Sequence, residues 1–196
     1  IGDVAGKGIS GALLMASIQS MLRTQLSIEA SAAGESDGGL WRFPTAHLVT
    51  QLNLQLYQNT SPEKYATFFF AAYDDRHSLL TYTNAGHLPP VLIRQGQPRR
   101  LEVNGLVVGA FPFATYQQSE LQLEPGDLLV AFTDGASEPE NEFAEEFGEP
   151  RLIELLVRHA HRSSREIIDE VIGAVSQWTG RPELQDDMTL LVARRP

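Results

Sequence analysis

Apolar residues at helical spacing predict two helices in the first third of the chain. The first is predicted over residues 10–26, where Ser10 is suited to cap the N-terminus. Its apolar stripe consists of Leu14, Ile18, Met21 and Leu22. Residues 31–39 are small and polar and predict a loop, and a second helix is predicted over residues 45–58. That helix carries Leu48, Leu52 and Leu56 on one face. Two helices joined by one loop favour an antiparallel pair.

The apolar period then changes to that of β-strands. Short apolar and aromatic segments alternate with turn sequences from residue 67 onward. Six strands are predicted there, over residues 67–73, 79–84, 90–94, 99–103, 117–123 and 128–133, and a last strand over residues 188–193. Their close spacing indicates a meander of mostly antiparallel strands.

Helical spacing returns between the sixth strand and the last. One helix is predicted after Gly148 from Leu152, Leu155 and Leu156, and a second follows the capping-box sequence that starts at Ser163. Helices, then strands, then helices and a closing strand make an α+β layout. Because 196 residues fit one ordinary domain, we expect a single domain over residues 1–196.

The amino-acid composition excludes several classes of function. Asp and Glu number 25 against 15 Lys and Arg, which gives a formal charge of -10. A surface with this much negative charge repels the phosphate groups of nucleic acids and of anionic membranes. Neither is therefore expected as a partner. The absence of cysteine excludes disulfides, thiolate catalysis and cysteine-ligated zinc. It is compatible with a cytoplasmic location, which we expect.

Three aspartate sites fall at predicted strand ends or tight turns. They are Asp3 in Gly-Asp-Val-Ala-Gly-Lys-Gly, Asp134 in Phe-Thr-Asp-Gly, and the pair Asp186-Asp187 before the last strand. Carboxylates on rigid strand ends can converge on a hard cation such as Mg²⁺ or Mn²⁺. Taken singly, each motif favours a plain turn or loop cap, because aspartate is common in both.

Six segments in order resemble one protein family over the whole chain. They are GDVAGKGISGALLMA, TNAGHLPP, GLVVGAFP, FTDGASE, EEFGEPRL and QDDMTLLV. The chain is similar to the PPM (type 2C-like) serine/threonine phosphatases, specifically the bacterial SpoIIE/RsbU group. This resemblance implies two stacked antiparallel β-sheets flanked by helix pairs. The family has strands and an acidic motif before the position of Gly2, so we expect a chain that opens at Ile1 to be N-terminally truncated.

The resemblance also implies a two-metal site for Mn²⁺ or Mg²⁺. Asp3 would bridge both ions and be the catalytic residue, and the main-chain carbonyl of Val4 would bind one ion. Asp134 and Asp186 would complete the second site, with Asp187 as a lesser candidate. Paired cations activate water and stabilise a phosphoryl group under attack. The resemblance does not identify a general acid. Ala5 stands where eukaryotic relatives have a histidine, and Lys7 stands where members of the bacterial group often have one.

The implied function is hydrolysis of phosphoserine or phosphothreonine on a regulatory protein. The favoured substrate is a phosphorylated anti-sigma-factor antagonist, and an upstream sensor or receiver domain is the expected partner within the full-length protein. The alternative is a catalytically inactive module that binds a partner through the N-terminal helix pair.

Three further features are each interpreted as structural rather than functional. Gly6, Gly8 and Gly11 match a dinucleotide-binding fingerprint, but that fingerprint needs a return strand, and a second helix is predicted instead. His87 is expected to be a hydrogen-bonded turn residue rather than a ligand. The acids of residues 138–149 could form a metal-binding flap or a solvated loop, and the solvated loop is expected.

Overall fold

The structure, a computed structural model, describes residues 1–32, 43–61, 63–180 and 187–196, with residues 29–32 described by their backbone. These residues form two compact units. The N-terminal unit comprises residues 2–87 and 103–122, and the C-terminal unit comprises residues 1, 88–102 and 123–196. Among the described residues, no helix has both the length and the apolar character to cross a membrane.

The N-terminal unit is a four-stranded antiparallel sheet with two helices. Its elements are β1 (Gly2–Val4), α1 (Gly8–Ala32), α2 (Thr45–Asn59), β2 (Ala66–Asp74), β3 (Leu79–Ala85) and β6 (Ser119–Gln122). The strand order is β1-β2-β3-β6. Leu48, Leu52 and Leu56 of α2 are fully buried, as their spacing predicted, and cluster with Leu14 and Ile18 of α1. Burying such side chains stabilises the unit by about 1.5–3 kcal/mol each.

The C-terminal unit has the same type of sheet and its own helix pair. Its elements are β4 (Val91–Arg94), β5 (Gln97–Arg100), β7 (Leu128–Phe132), a 3-10 helix (Asp134–Ala136), α3 (Glu149–Arg158), α4 (Ser164–Thr179) and β8 (Leu190–Arg194). The strand order is β5-β4-β7-β8, with every pair antiparallel. Phe132 of β7, Leu156 of α3 and Val171 of α4 belong to one buried cluster. The predicted capping box is present, because Ser163 Oγ accepts from the Glu166 amide and Glu166 accepts from the Ser163 amide.

Three expectations about the elements are wrong. Ser10 is not an N-cap, because α1 begins two residues earlier at Gly8, and the helix runs on to Ala32 through the start of the predicted loop. The rest of that loop lies mostly outside the described residues. The strands do not form one meander, because β6 pairs with β3 and β7 pairs with β4 in different sheets.

Candidate active site

Asp3 lies on a short strand at one edge of the N-terminal sheet. It pairs with Thr67 of β2, between the pairs Gly2–Phe68 and Val4–Ala66. The amide of Ala5 extends this pairing and donates to the Tyr65 carbonyl at 2.8 Å. The Asp3 side chain is exposed. Strand pairing therefore fixes the backbone that carries both the Asp3 carboxylate and the Val4 carbonyl.

A glycine turn joins β1 to α1. Gly6 has φ +108° and Gly8 has φ +69°, values that glycine adopts without strain. Gly11 lies in the first turns of α1, and a Cβ there would come within 2.5 Å of the Gly6 carbonyl oxygen. Close packing of the helix on the turn therefore explains these glycines. The described residues around this turn do not form a βαβ unit, because β1 pairs antiparallel with β2 and the next described element after α1 is the helix α2.

His87 is buried in the turn that follows β3. Its Nδ1 lies 2.9 Å from the hydroxyl of Thr67, which is the β2 residue opposite Asp3. Its amide donates to Asn84 Oδ1 at 2.9 Å. His87 is thus a hydrogen-bonded turn residue, and it ties this turn to the strand beside Asp3.

Asp134 directly follows Thr133 at the end of β7 and opens the 3-10 helix. Its carbonyl accepts from the amides of Ser137 and Glu138, both at 2.8 Å. Its Oδ1 accepts from the Gly135 amide at 2.8 Å, while Oδ2 accepts no hydrogen bond from any described residue. The backbone turn therefore orients the half-buried carboxylate.

Thr133 joins this turn to the segment before β8. Its amide donates to the Thr189 carbonyl at 3.1 Å, and its hydroxyl accepts from the Thr189 amide at 2.9 Å. The same hydroxyl donates to the Asp187 carbonyl at 3.4 Å. Gly135 permits this approach, because a Cβ there would collide with the Asp187 peptide. The sequence motifs identified the aspartates but did not predict that Thr133 holds the Asp134 turn against the segment before β8.

The donors present fit a magnesium or manganese ion. Asp3, the Val4 carbonyl and Asp134 offer oxygen atoms, which these cations prefer. Asp3 and Val4 belong to the N-terminal unit and Asp134 to the C-terminal unit, while the predicted ligand Asp186 lies outside the described residues. Within the described ranges, no group of three or more His, Asp or Glu side chains is placed to hold a metal ion.

The acidic segment after Asp134 is an ordered turn with solvated side chains. Asn141 organises it, because its Oδ1 accepts from the amides of Phe143 and Glu145 at 2.9 and 3.0 Å. Trp178 of α4 donates from Nε1 to the Glu145 carbonyl at 3.0 Å. The carboxylates of Glu138, Glu140, Glu142, Glu145 and Glu146 are exposed, as expected for a solvated loop.

Solved structures identify the class of fold. The SiaA-PP2C domain of Pseudomonas aeruginosa matches with a TM-score of 0.79 and 21% identity, over 100% of this chain and 74% of that one. The catalytic domain of the serine/threonine protein phosphatase PstP, solved with two manganese ions, matches with a TM-score of 0.67 and 14% identity, over 98% and 85%. These likenesses confirm the α+β fold of PPM phosphatases.

The amino-acid sequence places the chain within that class. Residues 1–196 match the family described as stage II sporulation protein E (SpoIIE), and the chain belongs to this family. The phosphoserine phosphatase RsbU of Bacillus subtilis (strain 168) is 32% identical over 200 residues, which cover all of this chain and 54% of RsbU. The chain thus spans between about a third and about half of the length of the curated relatives it matches. The predicted membership of the SpoIIE/RsbU group of PPM-type phosphatases is confirmed.

Proposed function

We propose that this chain is the catalytic region of a metal-dependent protein phosphatase that hydrolyses phosphoserine or phosphothreonine on a regulatory protein. The observation that carries the proposal is the match of residues 1–196 to the SpoIIE family, and it is supported by the ordered backbone at Asp3 in the β1–β2 pairing and at Asp134 in the turn after β7. Asp3, Val4, Asp134 and Asp186 would hold two Mn²⁺ or Mg²⁺ ions, the metals named in solved structures of this fold.

The proposed metal ligands are held in position by the surrounding backbone. When bound, two such ions activate water and stabilise the charge on a phosphoryl group. The chain's own contribution is to hold oxygen ligands in place through the β1–β2 pairing at Asp3 and the Gly135 amide at Asp134. Groups that orient ligands this way typically change metal affinity or activity by about 10–100-fold.

Hydrolysis of p-nitrophenyl phosphate with and without Mn²⁺ tests the proposal. Asp134→Asn should lower kcat by about 100-fold or more and weaken Mn²⁺ binding in calorimetry, because it removes a ligand charge at constant volume. Asp186→Asn should behave alike. Asp169→Asn, at an exposed site on α4 in the same unit, is the matched control and should leave both quantities unchanged.

For the Asp3 assignment the same comparison uses Asp3→Asn against Asp75→Asn, which changes an exposed acid in the same unit. Unchanged Mn²⁺ stoichiometry and affinity in Asp3→Asn or Asp134→Asn would remove that residue from the ligand set.

The proposed substrate is a phosphorylated anti-sigma-factor antagonist, in the cytoplasm, with an upstream sensor or receiver domain controlling turnover. RsbU, named a phosphoserine phosphatase, supports the choice of a phosphorylated substrate. Mass spectrometry of candidate antagonists before and after incubation with the protein would measure phosphate loss directly. If the protein binds an antagonist but removes no phosphate with any divalent metal, the inactive interaction module is the correct alternative.

A further inference from the structure

Lysine is rare in this chain, and both copies lie near Asp3. Of the 15 basic residues only Lys7 and Lys64 are lysines, and the others are arginines. Lys7 belongs to the glycine turn after β1, and Lys64 lies two residues before the start of β2, the strand that pairs with β1. Two positive charges therefore flank the proposed site in a chain with a net charge of -10.

The register of β1 and β2 places Lys64 beside the glycine turn. Val4 pairs with Ala66, and the Ala5 amide donates to the Tyr65 carbonyl, so the next position along brings Lys64 level with Gly6. A Cβ built on Gly6 would lie 3.7 Å from Lys64 Nζ. The ammonium group thus lies against Gly6 in the turn that follows β1, the strand of Asp3, although 57 residues separate Gly6 from Lys64 in the sequence.

The hydrogen bonds of Lys64 use its backbone, and its ammonium group makes a longer-range attraction to the Glu63 carboxylate rather than an ion pair. Its amide donates to the Ser61 carbonyl at 2.8 Å, and its carbonyl accepts from the Thr60 hydroxyl at 3.4 Å. The adjacent Glu63 carboxylate accepts from the Ser61 hydroxyl at 2.7 Å. Among the residues the structure describes, Lys64 makes no ion pair within 4.0 Å.

A lysine beside a site for divalent cations is unfavourable unless an anion separates the charges. Like charges a few ångströms apart repel by about 1 kcal/mol in water and more where water is excluded. A phosphoryl group between the ammonium and bound divalent cations would reverse the sign, because its negatively charged oxygens attract both kinds of positive charge. Hydrogen bonds from ammonium to phosphate oxygens are short and strong.

We propose that Lys64 binds the phosphoryl oxygens of the substrate at the glycine turn, with Lys7 adding a second positive charge. This inference rests on the proposed phosphatase function. It adds to the proposed site a substrate-binding residue, Lys64, that lies outside the six family-like segments. Lys64 would act in phosphate binding rather than in metal binding.

The test compares Lys64→Met and Lys64→Arg with Arg76→Met. Arg76 is exposed in the turn at the other end of β2, so its variant makes the same change in net charge away from the site. Lys64→Met should raise the KM for p-nitrophenyl phosphate and the Kd for inorganic phosphate by about tenfold, the effect of one charged hydrogen bond. The kcat and the calorimetric Mg²⁺ affinity should stay near wild type, and Lys64→Arg should restore most of the phosphate affinity.

The outcomes separate this inference from the proposed function. If the wild type is active and Lys64→Met equals Arg76→Met in KM and in phosphate Kd, Lys64 has no role and the phosphatase assignment stands. If the wild type shows no turnover, the proposed function fails, and calorimetry with inorganic phosphate still decides whether Lys64 binds the anion. Loss of Mg²⁺ affinity in Lys64→Met would overturn the assignment to phosphate binding.

Discussion

Gly135→Ala tests how closely the Asp134 turn must approach the segment before β8. A Cβ on residue 135 would lie 2.9 Å from the Asp187 carbonyl carbon, and closer still to its oxygen, where ordinary contacts are 3.4–4 Å. The Asp187 peptide must therefore retreat by at least about half an ångström. That movement stretches the Thr133 hydrogen bonds that join the two segments. Overpacking of this kind costs about 1–3 kcal/mol.

The expected result is a lower melting temperature and a larger loss of activity. For a chain of this size each kcal/mol lowers Tm by about 2–4 °C. A ligand misplaced by about 1 Å can cost about 100-fold in rate, so kcat should fall well beyond what the loss of stability explains. Gly173→Ala is the control, because nothing lies within 4 Å of a Cβ at that position in α4, and it should stabilise by about 0.5–1 kcal/mol. A Gly135→Ala protein with wild-type Tm and kcat would refute the proposed steric role.

Three further predictions concern stability and control. Burial raises the pKa of Asp127, but hydrogen bonds from Arg94 and a backbone amide outweigh it and hold that pKa below its usual value. The stabilisation is therefore complete at neutral pH and decreases as pH falls from the usual aspartate pKa towards the lower pKa of the folded state, so Asp127→Asn should cost about 2 kcal/mol in urea unfolding at pH 7 and less at pH 3. Ser163→Ala removes the α4 cap and should cost about 1 kcal/mol by the same measurement at pH 7. Leu13→Gln, at an exposed site on α1, should change the kcat of the full-length protein more than Ile172→Gln on α4, and equal effects would argue against control through the N-terminal helix pair.

Local sequence patterns predicted the elements whose cause is local. The apolar face of α2 and the capping box of α4 each depend on residues three or four positions apart, and both are present in the structure. The start of α1 was wrong because glycines with positive φ, and not a hydroxyl cap, turn the chain into the helix. Strand β1 was not predicted, because three residues carry no period, and its strand character comes from pairing with β2.

The site could be predicted from the sequence only as a set of motifs. Thr133 and Lys64 owe their positions to pairings with residues far along the chain, and no periodicity reveals such pairings. The resemblance predicted two antiparallel sheets, which the structure confirms, but which strands belong to which sheet was not predicted, for the same reason. Family resemblance supplied the ligand set Asp3, Val4, Asp134 and Asp186, which stays a prediction.

The pairing of β7 with β8 has a consequence for the newly made chain. Residues 133–189 separate the two strands, and they require on the order of 3–12 s of synthesis at about 5–20 residues per second. During that interval one edge of β7 has no partner, and an open strand edge can pair with other chains. We therefore expect nascent chains arrested before residue 187 to be digested by protease within the β7 region, and longer chains in which β8 has left the ribosome to resist. Equal resistance at both lengths would show that β7 is protected without β8.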